Sequence, residues 1–282
     1  MWVVAVLGVL AIGTAAGLAA VRGNPDGELP SFPPGTTMAR IAAAGELRVG
    51  VKLDQPLWSI ADPEGRPSGF DVEIARIVAA GLGVRQENVE FVTVAADERE
   101  QALLDDEVDV VVATYAMTDA RRQQVSFAGP YATTGQDLLI REDEDRITGP
   151  ESLRDPELQV CAMTGQPPAQ EITRWSSRVV LKDIYSTCAD QLMIDQLDAV
   201  TAEATILAGF AQGIPGTRVV GNRFTTQDYG IGIRRGDTGF CGFINDTLAA
   251  AAADGRYEAA WANTAGRYDP TPATLPPPAP CT

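Results

Sequence analysis

Histidine is missing from all 282 residues of the chain. Its absence excludes histidine-based triads, histidine metal ligation and histidine acid–base chemistry. Lysine is nearly missing too: Lys52 and Lys182 are the only two among 22 basic residues, against 38 acidic ones. A formal charge of -16 repels nucleic acid and argues against any basic groove for it, yet leaves room for a small anion in a local positive pocket. No cysteine precedes Cys161, so a lipid-modified cysteine near residue 20 is excluded as an anchor. Four cysteines are present, Cys161, Cys188, Cys241 and Cys281, in a spacing that does not fit a compact zinc site. An even count in an exported chain suggests two disulfides with three possible pairings. Nearest-neighbour pairing, 161 with 188 and 241 with 281, is the favoured one and would fasten the tail.

A basic n-region is lacking as well, since no Arg or Lys precedes Arg22. The run 3–21 is nonetheless all apolar or small and long enough to span a bilayer. Residues 1–21 therefore read as an export signal or a signal-anchor, with the remainder outside the membrane. Residues 22–37, rich in Pro, Gly and Ser, read as a linker, and the proline-rich 268–282 as an extended tail.

The stretch around which the chain is organised is Val111-Val-Ala-Thr-Tyr-Ala-Met-Thr-Asp-Ala-Arg121. Its apolar start predicts a buried strand, and Thr118-Asp119 can cap a short helix that carries Arg121 near its beginning. Backbone amides and a guanidinium directed at one spot suit a planar carboxylate. Before it, strands at 47–52, 89–94 and 107–113 alternate with helices at 69–81 and 97–104, which predicts a mostly parallel sheet. The pattern restarts at Leu158, and Gln196-Leu-Asp198 echoes Glu107-Val-Asp109. Two extended segments, 135–141 and 224–233, suit a two-stranded hinge. The expected organisation is α/β and two-lobed: 38–134 plus 230–267 form the first lobe, and 135–229 the second. Loops at the carboxyl ends of the strands are where such sheets bind ligands. Trp58, in the first of those loops, reads either as a lid over an aliphatic ligand or as a core aromatic.

Several motifs taken together resemble one family. They are Gly69-Phe-Asp-Val-Glu73, Val108-Asp-Val with Ala113-Thr-Tyr-Ala-Met-Thr-Asp-Ala-Arg121, Val125-Ser-Phe-Ala-Gly-Pro-Tyr131 and Asp198-Ala-Val-Thr201. From about Leu47 to Gly266 the chain resembles the family 3 extracellular solute-binding proteins of polar amino-acid ABC transporters. The Leu53-Asp-Gln-Pro stretch and the cysteines at 161 and 188 look most like the actinobacterial glutamate-binding branch. The resemblance implies a type II periplasmic-binding-protein fold, a free polar amino acid as ligand, an ABC permease as partner, a monomer, and neither catalysis nor a cofactor or metal. It implies that Arg121 and the amide of Ala116 hold the α-carboxylate, and that the carbonyl of Thr114 and the carboxylate of Glu203 receive the ammonium. Ala116 stands where the family usually has Thr or Ser, and Glu203 where aspartate is usual. Gln166 would add donors from the facing loop.

Lys52 and Arg99, both at carboxyl ends of first-lobe strands, are the candidates for a distal carboxylate. They favour glutamate, with aspartate, glutamine and asparagine behind it. Two other readings compete: a sensor module for a membrane signalling partner, and a cyclohexadienyl or arogenate dehydratase on the same scaffold.

Overall fold

The computed structural model describes residues 30–268 and 273–282. The expected leader 1–21 lies outside the described residues, as does the expected linker up to residue 29. Among the described residues, no helix is long and apolar enough to cross a membrane.

Helix α1 (Thr37–Ala44) begins where the Thr36 hydroxyl accepts the Ala39 N–H, and it stops at Gly45, whose φ of 67° takes the left-handed C-cap. Strand β1 (Leu47–Val51) follows, then a small antiparallel sheet of β2 (Asp54–Gln55), β3 (Ser59–Ala61) and β4 (Pro67–Ser68). The sequence predicts a plain loop at 53–58, where the structure has part of this sheet. Two-residue strands leave too little periodicity to reveal such a sheet. Helix α2 (Phe70–Gly81) buries Phe70, Ile74, Ile77 and Val78 on one face, as the 3.6-residue spacing requires.

Strand β5 (Val89–Thr93), helix α3 (Arg99–Leu104), strand β6 (Val110–Val111) and helix α4 (Asp119–Arg122) complete the alternation. Helix α3 starts two residues later than expected, because a turn from Ala95 to Glu98 occupies its approach. Strand β6 is shorter than the expected 107–113. Asp109, at its entrance, is pinned by Arg40 at 2.7 Å and by the Arg48 amide and guanidinium, each at 3.0 Å.

Long strand β7 (Ser126–Thr134) leads through Gly135 into β8 (Gln136–Arg141). Then come β9 (Val160–Met163), α5 (Pro167–Glu171), β10 (Val179–Lys182), α6 (Tyr185–Met193), β11 (Ala199–Glu203), α7 (Ala204–Gly213) and β12 (Thr217–Val219). The chain returns through β13 (Gln227–Ile233) and closes with α8 (Thr238–Ala253) and α9 (Arg256–Asn263).

Two five-stranded sheets result, ordered β5-β1-β6-β13-β7 and β10-β9-β11-β8-β12. In each, three parallel strands are followed by two antiparallel ones. The sheets are therefore topological copies, with β5 matching β10, β1 matching β9 and β6 matching β11. This is the two-lobed architecture of type II periplasmic binding proteins. Buried valines of β1 and β6 form the centre of the first lobe, each contributing roughly 1.5–3 kcal/mol by leaving water.

The chain passes between the sheets by β7 into β8 and by β12 into β13, and β7 pairs with β13 from Thr134↔Gln227 to Ser126↔Ile233. Gly135 sits at the crossing, where an added Cβ would lie 2.2 Å from the Thr225 carbonyl oxygen. Only glycine fits there. Disulfides join Cys161 to Cys188 and Cys241 to Cys281, the favoured pairing. The tail is thereby tied to α8, and its Ala279 N–H donates to the Gly129 carbonyl at 2.7 Å, covering edge strand β7.

Candidate functional site

The carboxyl ends of both sets of parallel strands face each other across a cleft, and the lobes touch there. Lys52 reaches the Met163 sulfur at 3.8 Å, and Arg121 reaches the Gly165 carbonyl at 3.3 Å. Gly209 of α7 lies so close to Pro56 that a Cβ would meet its carbonyl oxygen at 2.5 Å.

On the first-lobe wall, the chain leaves β6 and turns at Thr114 with φ of 46°, a left-handed conformation costly for a β-branched residue. Two hydrogen bonds hold it there, and a third braces the first acceptor. The buried Asp71 accepts the Thr114 N–H at 2.9 Å and the Tyr131 hydroxyl at 2.7 Å, and the Thr114 hydroxyl donates to Gln55 at 2.8 Å. Burial pushes the Asp71 carboxyl up to about 7, against the pull of those hydrogen bonds. Ala116 then forms an isolated bridge with Tyr229 of β13, made by Met117 N–H to Asp228 and Gly230 N–H to Tyr115. In that pattern the Ala116 amide points away from the hinge strand.

Thr118 caps α4 by accepting the Arg121 N–H at 3.3 Å. The Arg121 guanidinium is 8% exposed, stacks 5.0 Å from the Tyr115 ring and spans both lobes. It donates to the Ala116 carbonyl at 3.0 Å and the Gly165 carbonyl at 3.3 Å, and it pairs with Glu100 at 3.3 Å. A guanidinium has five N–H groups, so two remain after these contacts.

Arg99 is fully buried as the first residue of α3, with its guanidinium carbon 5.3 Å from the centre of the Tyr115 ring. Among the described residues none of its three nitrogens has a hydrogen-bond partner. Burial, and then the nearby Arg121 charge, hold its pKa below the ordinary value. A surface ion pair with Asp97 or Glu100 is thus not its place.

Lys52 is also buried, but its ammonium stands 3.3 Å from the Asp54 carboxylate and its charge is largely matched. Trp58 is fully buried in an aromatic cluster with Phe70, Tyr229 and Trp261. That is the core position of the two readings, and the lid reading is set aside. Its ring packs edge-to-face with Tyr229 at 5.2 Å, and Tyr229 in turn lies beside Glu203.

The second lobe supplies three groups from matching places. Glu203 ends β11, and burial pushes its carboxyl up to about 7 against the fields of Arg121 and Arg99. The Tyr229 hydroxyl lies beside it, outside hydrogen-bond geometry. On the hinge side, Glu203 also borders a hollow of about 250 Å³ whose lining includes Gln136, Pro168 and Gln227. Gln166, in the loop after β9, is 5% exposed with its amide nitrogen unpartnered. Tyr185 opens α6 after β10, and its hydroxyl is likewise buried and unpartnered.

The structure brings Arg121, Thr114, Ala116, Arg99, Glu203 and Gln166 to one cleft. It adds Asp71, Tyr115, Tyr185 and Tyr229, which the sequence reading passed over. Cations on the first-lobe wall and a carboxylate on the second suit a small ligand that carries charges of both signs. Among the described residues no cluster of three or more His, Cys, Asp or Glu is placed to hold a metal ion.

Comparison with known proteins identifies the family and the fold. Residues 47–263 match the family described as bacterial extracellular solute-binding proteins, family 3. The chain is 38% identical to the glutamate-binding protein GluB of Corynebacterium efficiens over 226 residues, 76% of each chain. It is 29% identical to the ABC transporter glutamine-binding protein GlnH of Bacillus subtilis, covering 79% of this chain and 82% of that one. Among solved structures it superposes on an ancestral amino acid-binding protein, described as a precursor of cyclohexadienyl dehydratase. That match has a TM-score of 0.74 at 27% identity, covering 81% of this chain and 99% of that one.

Proposed function

This chain belongs to family 3 of the bacterial extracellular solute-binding proteins, and we propose that its ligand is an amino acid with an acidic side chain, glutamate first. The observation that carries this reading is Arg99, a fully buried guanidinium with no hydrogen-bond partner among the described residues, whose charge acts on Glu203 and Tyr185 of the second lobe. A buried cation without acceptors is costly, and a distal carboxylate is the partner its planar fork fits best. Lys52 is the weaker candidate for that role because Asp54 already matches its charge. The two N–H groups left on Arg121 and the amide of Ala116 receive the α-carboxylate. Glu203 and the Thr114 carbonyl receive the ammonium, and Gln166 closes over the carboxylate from the second lobe.

Both ends of the zwitterion are satisfied only when the lobes meet, so ligand selects the closed state. On this account 38–134 with 230–267 moves against 135–229. The protein then serves as the monomeric substrate-binding component of an ABC importer, as the GlnH relative is named. Mass spectrometry of the small molecule that co-purifies with the chain tests the ligand. Glutamate or a near analogue is expected, and arginine or a non-amino-acid solute overturns the reading.

A further inference from the structure

Tyr185 is one cleft residue that holds neither end of the zwitterion. Its backbone opens α6 directly after β10, and β10 matches β5 in the two sheets. Helix α3 follows β5 in the same way and opens at Arg99. Tyr185 is therefore the second lobe's counterpart of Arg99. Its ring is 1% exposed and packs edge-on against Phe210 of α7 at 6.1 Å. Three residues further along, Cys188 is bridged to Cys161 of β9, which holds the first turn of α6 against the sheet. The ring is thus fixed, while its hydroxyl has no hydrogen-bond partner among the described residues. The charges that act on it come from both lobes: Glu203 of β11, Asp54 of β2 and Arg99 of α3. Burial keeps the phenol well above its ordinary pKa, so the hydroxyl is neutral at physiological pH.

We infer that Tyr185 is a specificity-determining residue whose hydroxyl hydrogen-bonds the distal polar group of the bound amino acid, opposite Arg99. The inference rests on the amino-acid reading of the cleft. A neutral hydroxyl donates to a carboxylate and accepts from an amide. Tyr185 accordingly serves glutamate and glutamine alike, while the Arg99 charge ranks the first above the second. A site built to hydrogen-bond a ligand's polar group discriminates strongly against ligands that leave its own groups unpaired.

The test is calorimetric titration of the full chain and its Tyr185→Phe variant with glutamate and with glutamine, together with the melting temperature of each protein without ligand. The variant keeps the ring and removes one oxygen. Affinity for both titrants is expected to fall about ten- to hundredfold, with the ligand-free melting temperature unchanged or raised, since a buried unpartnered hydroxyl is removed. Affinity within twofold of wild type overturns the inference. So does a ligand-free melting temperature that drops along with affinity, which marks a structural role. A wild-type chain that binds neither titrant refutes the reading of an acidic amino acid as ligand, and this inference falls with it.

Discussion

Arg99→Met separates two demands that the cleft places on one side chain. Without ligand, Arg99 carries a charge in a fully buried setting with no hydrogen-bond partner among the described residues. Compensation comes from the Tyr115 ring at 5.3 Å and from the Glu100 carboxylate, while Arg121 opposes it. Replacing even paired buried ionic groups by well-packed apolar ones of similar volume is often neutral or stabilising by roughly 1–4 kcal/mol, and Arg99 lacks a hydrogen-bonded partner to lose. At about 2–4 °C per kcal/mol for a chain of this size, the ligand-free variant is expected to melt several degrees higher. Binding changes in the opposite direction. Two charge-assisted hydrogen bonds to a distal carboxylate contribute roughly 1.5–3 kcal/mol each, so glutamate affinity falls by about 10²–10⁴-fold. Differential scanning calorimetry without ligand and isothermal titration with glutamate read the two effects. A variant that melts lower than wild type yet binds glutamate as tightly refutes the reasoning, because Arg99 would then be a structural cation.

Two further predictions concern protonation and the hinge. The Glu203 carboxyl, held at about 7 by burial, keeps its proton below that pH, whereas a bound ammonium requires the carboxylate. Amino-acid affinity is therefore expected to fall by up to about tenfold per pH unit below 7, with proton release detectable by titration in buffers of different ionisation enthalpy. Affinity that stays constant from pH 5 to 8 contradicts this. The stability of the ligand-free protein runs the other way. Native Asp71 and Glu203 hold protons that the unfolded chain releases between its ordinary carboxyl pKa and about 7, so stability declines as pH rises through that window. At the hinge, Gly135→Ala places a Cβ 2.2 Å from the Thr225 carbonyl and should destabilise the protein by roughly 1–3 kcal/mol, read by urea denaturation. A stability within experimental error of wild type would show that the two hinge segments separate freely.

Much of this fold is legible in the sequence, because apolar runs such as Val110 to Ala113 and the helical spacing of Phe70, Ile74 and Ile77 are local signals. The hinge was legible because two extended segments must cross together. The site was read unevenly. Arg121 announces itself through the Thr118 cap beside it, a short-range feature. The choice between Lys52 and Arg99 depends on Asp54. Two residues beyond Lys52 in an extended chain, Asp54 points to the same side and matches its charge, a signal that was present but not used. Tyr185 is legible only when the internal repeat is extended from Asp109 and Asp198 to the helix after β10. Tyr229 and Asp71 were out of reach, since their roles come from β13 returning past the cleft and from a turn pinned 43 residues away in sequence.

The central claim is that this cleft grips an amino acid by both its zwitterionic end and an acidic side chain. Isothermal titration of the full chain against glutamate and against arginine tests it most directly. Saturable one-to-one binding of glutamate, with none of arginine, is the predicted result. Tight binding of arginine with none of glutamate would contradict it, since Arg99 would then face a like charge in a dry site.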